Sequence, residues 1–266
     1  MPRSIWNGTI AFGLIAVPIK VYSATESHTI HFHQVHDEDG ARIKQKRICS
    51  KEGEEVPYKE VAMGYEVRGG EYVMLEKEQI DAAAGERSHT IELEQFVDRE
   101  QVDPVFYNRA YYLGAGSDGE DAYRLLHDAL ERAGRTGLGR WVFHNREYLV
   151  AVRAGDDVLV LHTVRFADEL VASHKLDIAA PSRKPSEREL DMAEQLVDSL
   201  HKRFRAGAFK DSYQERVREL ITRKAEGGEI EVPEYEEPAA PDDLMAALEA
   251  SLGKGKKSKS RSGSRS

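Results

Sequence analysis

Five cations fall within residues 42–51 (RIKQKRICSK): Arg42, Lys44, Lys46, Arg47 and Lys51, with no acid among them. In an extended strand Arg42, Lys44 and Lys46 project to one side. Their intervals of about 6–7 Å match the phosphate spacing along one DNA strand. Such a row could hold a polyanion by its backbone. A solvated edge strand protected by lysines has the same composition, and composition alone leaves both readings open.

Other residues with chemical potential carry weaker patterns. Four of the ten histidines, His28, His31, His33 and His36, crowd into nine residues. His31 and His33 would share a strand face and could ligate zinc. No H-E-x-x-H or cysteine partner joins them, so imidazoles on a half-exposed strand are the better reading, and no metal is expected. Residues 114–119 (GAGSDG) match G-x-G-x-x-G. A dinucleotide site needs a buried apolar first strand and further βαβ units. The preceding YNRAYYL is polar and aromatic, and a β-meander follows. Glycines of a strand-to-helix turn fit better; a nucleotide-dependent enzyme using Gly114–Gly119 is the alternative. Cys49 is the single cysteine, which excludes an internal disulfide and a cysteine-rich zinc site. Neither a nucleophile elbow nor a Walker A or kinase set is present, so no catalytic residue and no cofactor is expected.

The 266 residues carry 38 Lys+Arg against 47 Asp+Glu, a net charge of −9. That balance excludes a uniformly basic, histone-like binder. The charge is unevenly placed. Residues 253–266 hold six bases and no acid; residues 226–252 hold nine acids and no base. A mildly acidic body is thus followed by an acidic linker and a basic tip. The Ser/Gly/Lys tip buries nothing and is expected to be disordered. It either solubilises the chain or adds non-specific nucleic-acid affinity through Lys254, Lys256, Lys257 and Lys259. No apolar run reaches the length of a membrane span, and the opening residues lack a signal-peptide pattern. A cytoplasmic protein is expected.

The elements that would position these groups divide in the same way. Residues 4–22 read as two strands around a bend, and 28–36, 71–75, 89–97 and 105–113 as further strands. Residues 140–164 read as a meander with turns at HNRE and AGDD. One helix is expected at 120–133. Ser186 with Glu189 forms a capping-box pattern, behind which Leu190, Ala193, Val197, Leu200 and Phe204 fall on one helical stripe. The stripe serves either a dimer interface or an intrachain core. A second box, Ser212 with Glu215, opens another helix that Gly227 and Gly228 end. A β-rich first part and a helical last part make the fold class α+β. Residues 229–241 read as an acidic, Pro-rich linker. In the helix expected at 242–252, Leu244, Met245, Leu248 and Leu252 form an apolar stripe. It docks in a partner's groove or folds back on its own chain.

Long stretches resemble bacterial Ku, the DNA-end-binding family of non-homologous end joining. The resemblance is carried by IWNGTIAFGLIAVPIKVYSAT, FHQVHDEDGARIKQKRIC, EEVPYKEVAMGYE, VMLEKEQI, DPVFYNRAYYL, AYRLLHDAL, LVLHTVRFADEL, PSERELDMAEQLVDSLHKRF and DSYQERVRELITRKAEGG, in order over residues 4–228. It implies a β-barrel core over 1–180 with a projecting arch at about 40–66, and a helical dimerisation arm over 181–228. Two copies would form a ring-forming homodimer around duplex DNA. It places Arg42, Lys44, Lys46, Arg47 and Lys51 in the hole, with Arg109 and Arg146 near DNA. It implies that the C-terminal segment recruits the multi-domain ATP-dependent DNA ligase of end joining, that the protein is not itself an enzyme, and that it works at the nucleoid.

Overall fold

The computed structural model describes residues 2–83, 89–179, 183–228 and 245–251. The chain forms two compact units, divided between Leu176 and Asp177.

Among the described residues the first unit contains nine strands and two α-helices. They are β1 (Trp6–Phe12), β2 (Ile15–Ser23), β3 (Met63–Arg68), β4 (Glu71–Leu75), α1 (Lys77–Ala83), β5 (Thr90–Asp98), β6 (Tyr107–Ala115), α2 (Glu120–Ala133), β7 (Arg135–Phe143), β8 (Arg146–Ala154) and β9 (Leu159–Val164). Seven strands close a barrel in the order β1-β2-β6-β9-β8-β7-β5. All neighbours are antiparallel except β1 and β5, whose parallel pairing (Thr9↔Thr90, Ile10↔Ile91) closes the ring.

Period-two alternation explains what fills it. Val17, Ile19 and Val21 of β2, Ile91 and Leu93 of β5, Val150 and Val152 of β8, and Leu159 and Leu161 of β9 are buried together. Trp141 lies fully buried among them. Trp6 and Tyr111 meet it edge-on at 5.7 and 5.5 Å between centroids, and Phe143 stacks on it at 4.4 Å.

Helix α2 packs on the barrel through Leu126 and Leu130. The Tyr123 hydroxyl donates to the Leu113 carbonyl at 2.5 Å and accepts from the Leu159 amide at 2.8 Å. The helix is thereby tied to β6 and β9 at once. His127 Nε2 donates to the Gly155 carbonyl at 3.0 Å, fixing the other side.

The glycine motif of residues 114–119 ends β6 and forms the loop into α2. Gly116 donates its amide to the Pro18 carbonyl at 2.8 Å. A Cβ at Gly116 would lie 2.8 Å from Pro18 Cβ, and one at Gly119 would lie 2.9 Å from Pro18 Cδ. These glycines are required by the close approach of β2, the strand-to-helix account expected for them.

Between β2 and β5 the chain makes one long excursion, residues 24–89. Its hairpin, β3 with β4, forms a separate two-stranded sheet. Met63, Tyr65, Val67, Val73 and Leu75 are all exposed on it. Asn145 Nδ2, in the β7–β8 turn, donates to Asp81 of α1 at 2.6 Å. The strand expected at 28–36 is absent. Only Val35 forms a bridge, to Arg42. A run whose histidines and polar residues leave Phe32 exposed has no apolar face to bury against a neighbour.

The second unit contains α3 (Glu187–Leu200) and α4 (Ser212–Ala225). Ser186 caps α3 in a complete capping box with Glu189. Phe204, expected on the α3 stripe, lies beyond the helix, because the backbone turns extended at His201. It stacks instead on Phe209, with centroids 6.0 Å apart. The cap of α4 is Asp211, not Ser212. The Asp211 carboxylate accepts from the Gln214 amide at 3.1 Å, so Ser212 is the first helical residue. Residues 245–251 are helical. No described helix is long and apolar enough to cross a membrane.

Candidate nucleic-acid interface

The basic run lies in the excursion, between two tight turns. In the first, His36 donates its amide to the Ala41 carbonyl at 2.7 Å and Ile43 donates to Gln34 at 3.0 Å. In the second, Cys49 donates to Glu54 and Val56 donates to Arg47, both at 2.8 Å. Gly40 (φ +69) and Gly53 (φ +72) supply the left-handed residue each turn needs. Residues 42–48 are thus flanked first by residues 34–35 and then by residues 54–56.

The run is extended but is not a ladder strand, as its even spacing had suggested. It is held by two isolated bridges, Val35↔Arg42 and Ile48↔Glu55. Asp37, Glu38 and Asp39 favour a turn over a continuing strand, so neither flank pairs along the whole run.

Within this frame the cations differ. Arg42 Nη2 lies 3.3 Å from His33 Nδ1. The Arg47 guanidinium sits 4.9 Å from the centre of the Tyr58 ring. Lys46 Nζ donates to Glu55 Oε2 at 2.6 Å. Lys44 and Lys51 have no partner among the described residues. All five side chains are exposed. The arrangement suits contact with phosphate and sugar, which positions a duplex without reading its sequence. Sequence reasoning missed Glu55 and Tyr58 and read His33 only as one of a histidine cluster; the two turns make them partners of the cations.

Arg109 and Arg146 belong to the barrel. Arg109 is exposed beside the register shift in β6, its amide donating to Thr163 Oγ1 at 3.1 Å. Arg146 opens β8, 3.8 Å from Glu169 and over the Tyr148 ring at 5.4 Å. The structure sets these two on the barrel strands, apart from the turns that hold the basic run.

The barrel's outer face carries an open cleft of about 810 Å³, with Tyr22, Tyr112, Arg153 and His162 in its lining. The His162 ring leans on Tyr107 at 4.7 Å, and its Nδ1 is buried with no hydrogen-bond partner. Burial, and then the charge of Arg153, push its pKa down. No group of three or more potential metal ligands occurs among the described residues.

In the second unit, Leu190, Val197 and Leu200 of the α3 stripe are exposed, with Ala193 half-buried. Leu200, Phe204 and Phe209 line a hollow of about 600 Å³. Met245 and Leu248 lie in the last helical segment and are half-buried. Leu244, Leu252, Lys254, Lys256, Lys257 and Lys259 lie outside the described residues.

A closed barrel interrupted by a cation-bearing excursion defines a class. The family model described as the Ku70/Ku80 beta-barrel domain matches residues 11–192. A non-homologous end joining protein Ku from Anaeromyxobacter sp. (strain K) is 43% identical over 95% of this chain and 86% of its own. The protein of that name from Solibacter usitatus is 37% identical over 95% and 94%. The one from Mycobacterium tuberculosis (strain CDC 1551 / Oshkosh) is 39% identical over 94% of each chain. The chain belongs to the bacterial Ku family of non-homologous end joining proteins.

Proposed function

We propose that the protein binds the ends of double-stranded DNA without regard to sequence, in the repair of double-strand breaks by non-homologous end joining. The observation that carries this is the row Arg42, Lys44, Lys46 and Arg47 on one exposed, extended segment of an otherwise acidic chain. Lys51 and the tail lysines Lys254, Lys256, Lys257 and Lys259 add to the row, with Arg109 and Arg146 as further contacts on the barrel. The chain acts as a homodimer that encircles the duplex. The exposed stripe of α3 supports this, since an amphipathic helix leaves such a face to be buried elsewhere. The segment 242–252 docks the multi-domain ATP-dependent ligase, and the chain itself performs no chemical step. Acidic surface elsewhere on the body disfavours duplex away from these cations.

A gel shift comparing linear with covalently closed circular duplex tests this. Binding to the linear form alone is expected, because a closed ring enters only at an end. Equally tight binding to both would overturn encirclement, and binding to neither would overturn DNA recognition.

A further inference from the structure

The charges of the excursion are sorted into blocks. Asp37, Glu38 and Asp39 occupy the first turn, Arg42 to Arg47 the segment between, and Glu52, Glu54 and Glu55 the second turn and its exit. The second turn folds that exit back alongside the cations. The bridge Ile48↔Glu55 fixes Glu55 opposite the end of the basic run, and its carboxylate reaches Lys46 at 2.6 Å. Arg42 faces the His33 ring and Arg47 the Tyr58 ring, neither of them a carboxylate, so both charges stay available to an anion. Lys46 alone of the five is held by a carboxylate, among the described residues. The pair is open to water, with the two side chains 67% and 53% exposed. A phosphate can therefore reach Lys46, but it must displace Glu55 to do so.

We propose that Glu55 is a positioning residue that competes with DNA phosphate for Lys46 and so keeps the grip of the excursion on the duplex partial. The inference rests on the DNA-binding reading and deepens it. A protein that encircles DNA and touches only its backbone must also move along it. A competing carboxylate at one cation lowers the cost of leaving one phosphate as the next arrives. Glu55 thereby tunes affinity per phosphate while Lys44 and the arginines supply the attraction.

The test is salt-dependent binding of the full chain to a labelled linear duplex. Glu55→Gln should tighten binding by about 1.4- to fivefold, the range an exposed ion pair is worth. It should also steepen the log–log salt slope by about 0.9, as one more phosphate is neutralised. Glu52→Gln removes the same charge without freeing Lys46, so it should leave the slope unchanged. In a Lys46→Ala background, Glu55→Gln should add nothing. Wild-type affinity and slope in Glu55→Gln, or an equal gain in Glu52→Gln, would overturn the proposal while leaving DNA binding standing. Failure of the wild-type chain to bind linear duplex would overturn both.

Discussion

Arg183 grips Glu189 with both ends of its guanidinium, Nη1 lying 2.8 Å from Oε2 and Nη2 bonded to Oε1. The same carboxylate accepts from the Ser186 amide at 2.7 Å and hydroxyl at 2.8 Å. Arg183, then Ser186, hold the Glu189 carboxyl well below the usual carboxylate range. A depressed carboxylate stabilises the folded start of α3 above the ordinary glutamate pKa of 4.5. That stabilisation is lost as pH falls through the lowered value. Glu189→Gln should speed hydrogen exchange in the first turn of α3 at neutral pH and abolish its acid dependence. Unchanged exchange would show the pair to be idle.

The cation row predicts a uniform weakening. Replacing Lys44, Lys46 and Arg47 together by Ala should weaken binding to every duplex sequence alike. The salt slope should flatten by about 0.9 for each phosphate no longer neutralised. A weakening confined to some sequences would point to base recognition that the geometry does not provide.

The α3 stripe predicts a change of mass. Val197→Asp with Leu200→Asp places charge on two exposed apolar positions, where an isolated chain would tolerate it and a dimer interface would not. Sedimentation should report a monomer of unaltered circular dichroism. A persisting dimer would move the interface off this stripe.

The glycine loop predicts a stability effect in place of a ligand effect. Gly116→Ala should destabilise the barrel by about 1–3 kcal/mol in urea unfolding, because the new methyl meets Pro18. Added ATP or NAD should not raise the melting temperature of the wild-type chain. A nucleotide-induced rise would revive the enzyme reading.

His162 predicts a pH effect with a definite sign. Its pKa is lowered in the fold, by burial first and Arg153 second. The unfolded chain therefore takes up a proton first, and stability falls as pH drops from about 6.5 toward the lowered value. His162→Gln should remove this part of the acid sensitivity. An identical pH profile in the variant would assign it elsewhere.

Much of the barrel was legible because a half-buried strand must alternate. Val17, Ile19 and Val21 announce an inner face, as do Leu159 and Leu161. The turn at His144–Asn145 carries residues suited to positive φ, and both adopt it. The parallel closure of β1 on β5 was not legible, since pairing across so much chain leaves no local mark. Strand β3 was not expected, although Met63, Tyr65 and Val67 alternate with Gly64, Glu66 and Arg68; β3 and β4 are exposed alike. Helix α1 is too short for periodicity to speak. At α4, Asp211 and Ser212 both offer a capping oxygen, and only geometry chooses between them. The candidate site divides in the same manner. The cations are adjacent in sequence and visible there, whereas Glu55 joins Lys46 only because Gly53 lets the chain turn back.

The excursion leaves β2 at Ser23 and returns at Thr90. In the barrel β1 alone separates those strands, with Val21 opposite Trp6 and Thr90 opposite Thr9. Its two feet thus leave from the same end of the barrel, two strand spacings apart across the sheet and about five residues apart along it, roughly 20 Å in all. Both feet are anchored by hydrogen-bond ladders that do not depend on what lies between. For a loop closed in this way the entropy cost grows only with the logarithm of its length. Residues 24–89 are therefore a cassette, free to lengthen, shorten or be nicked while the barrel keeps its hold on both ends.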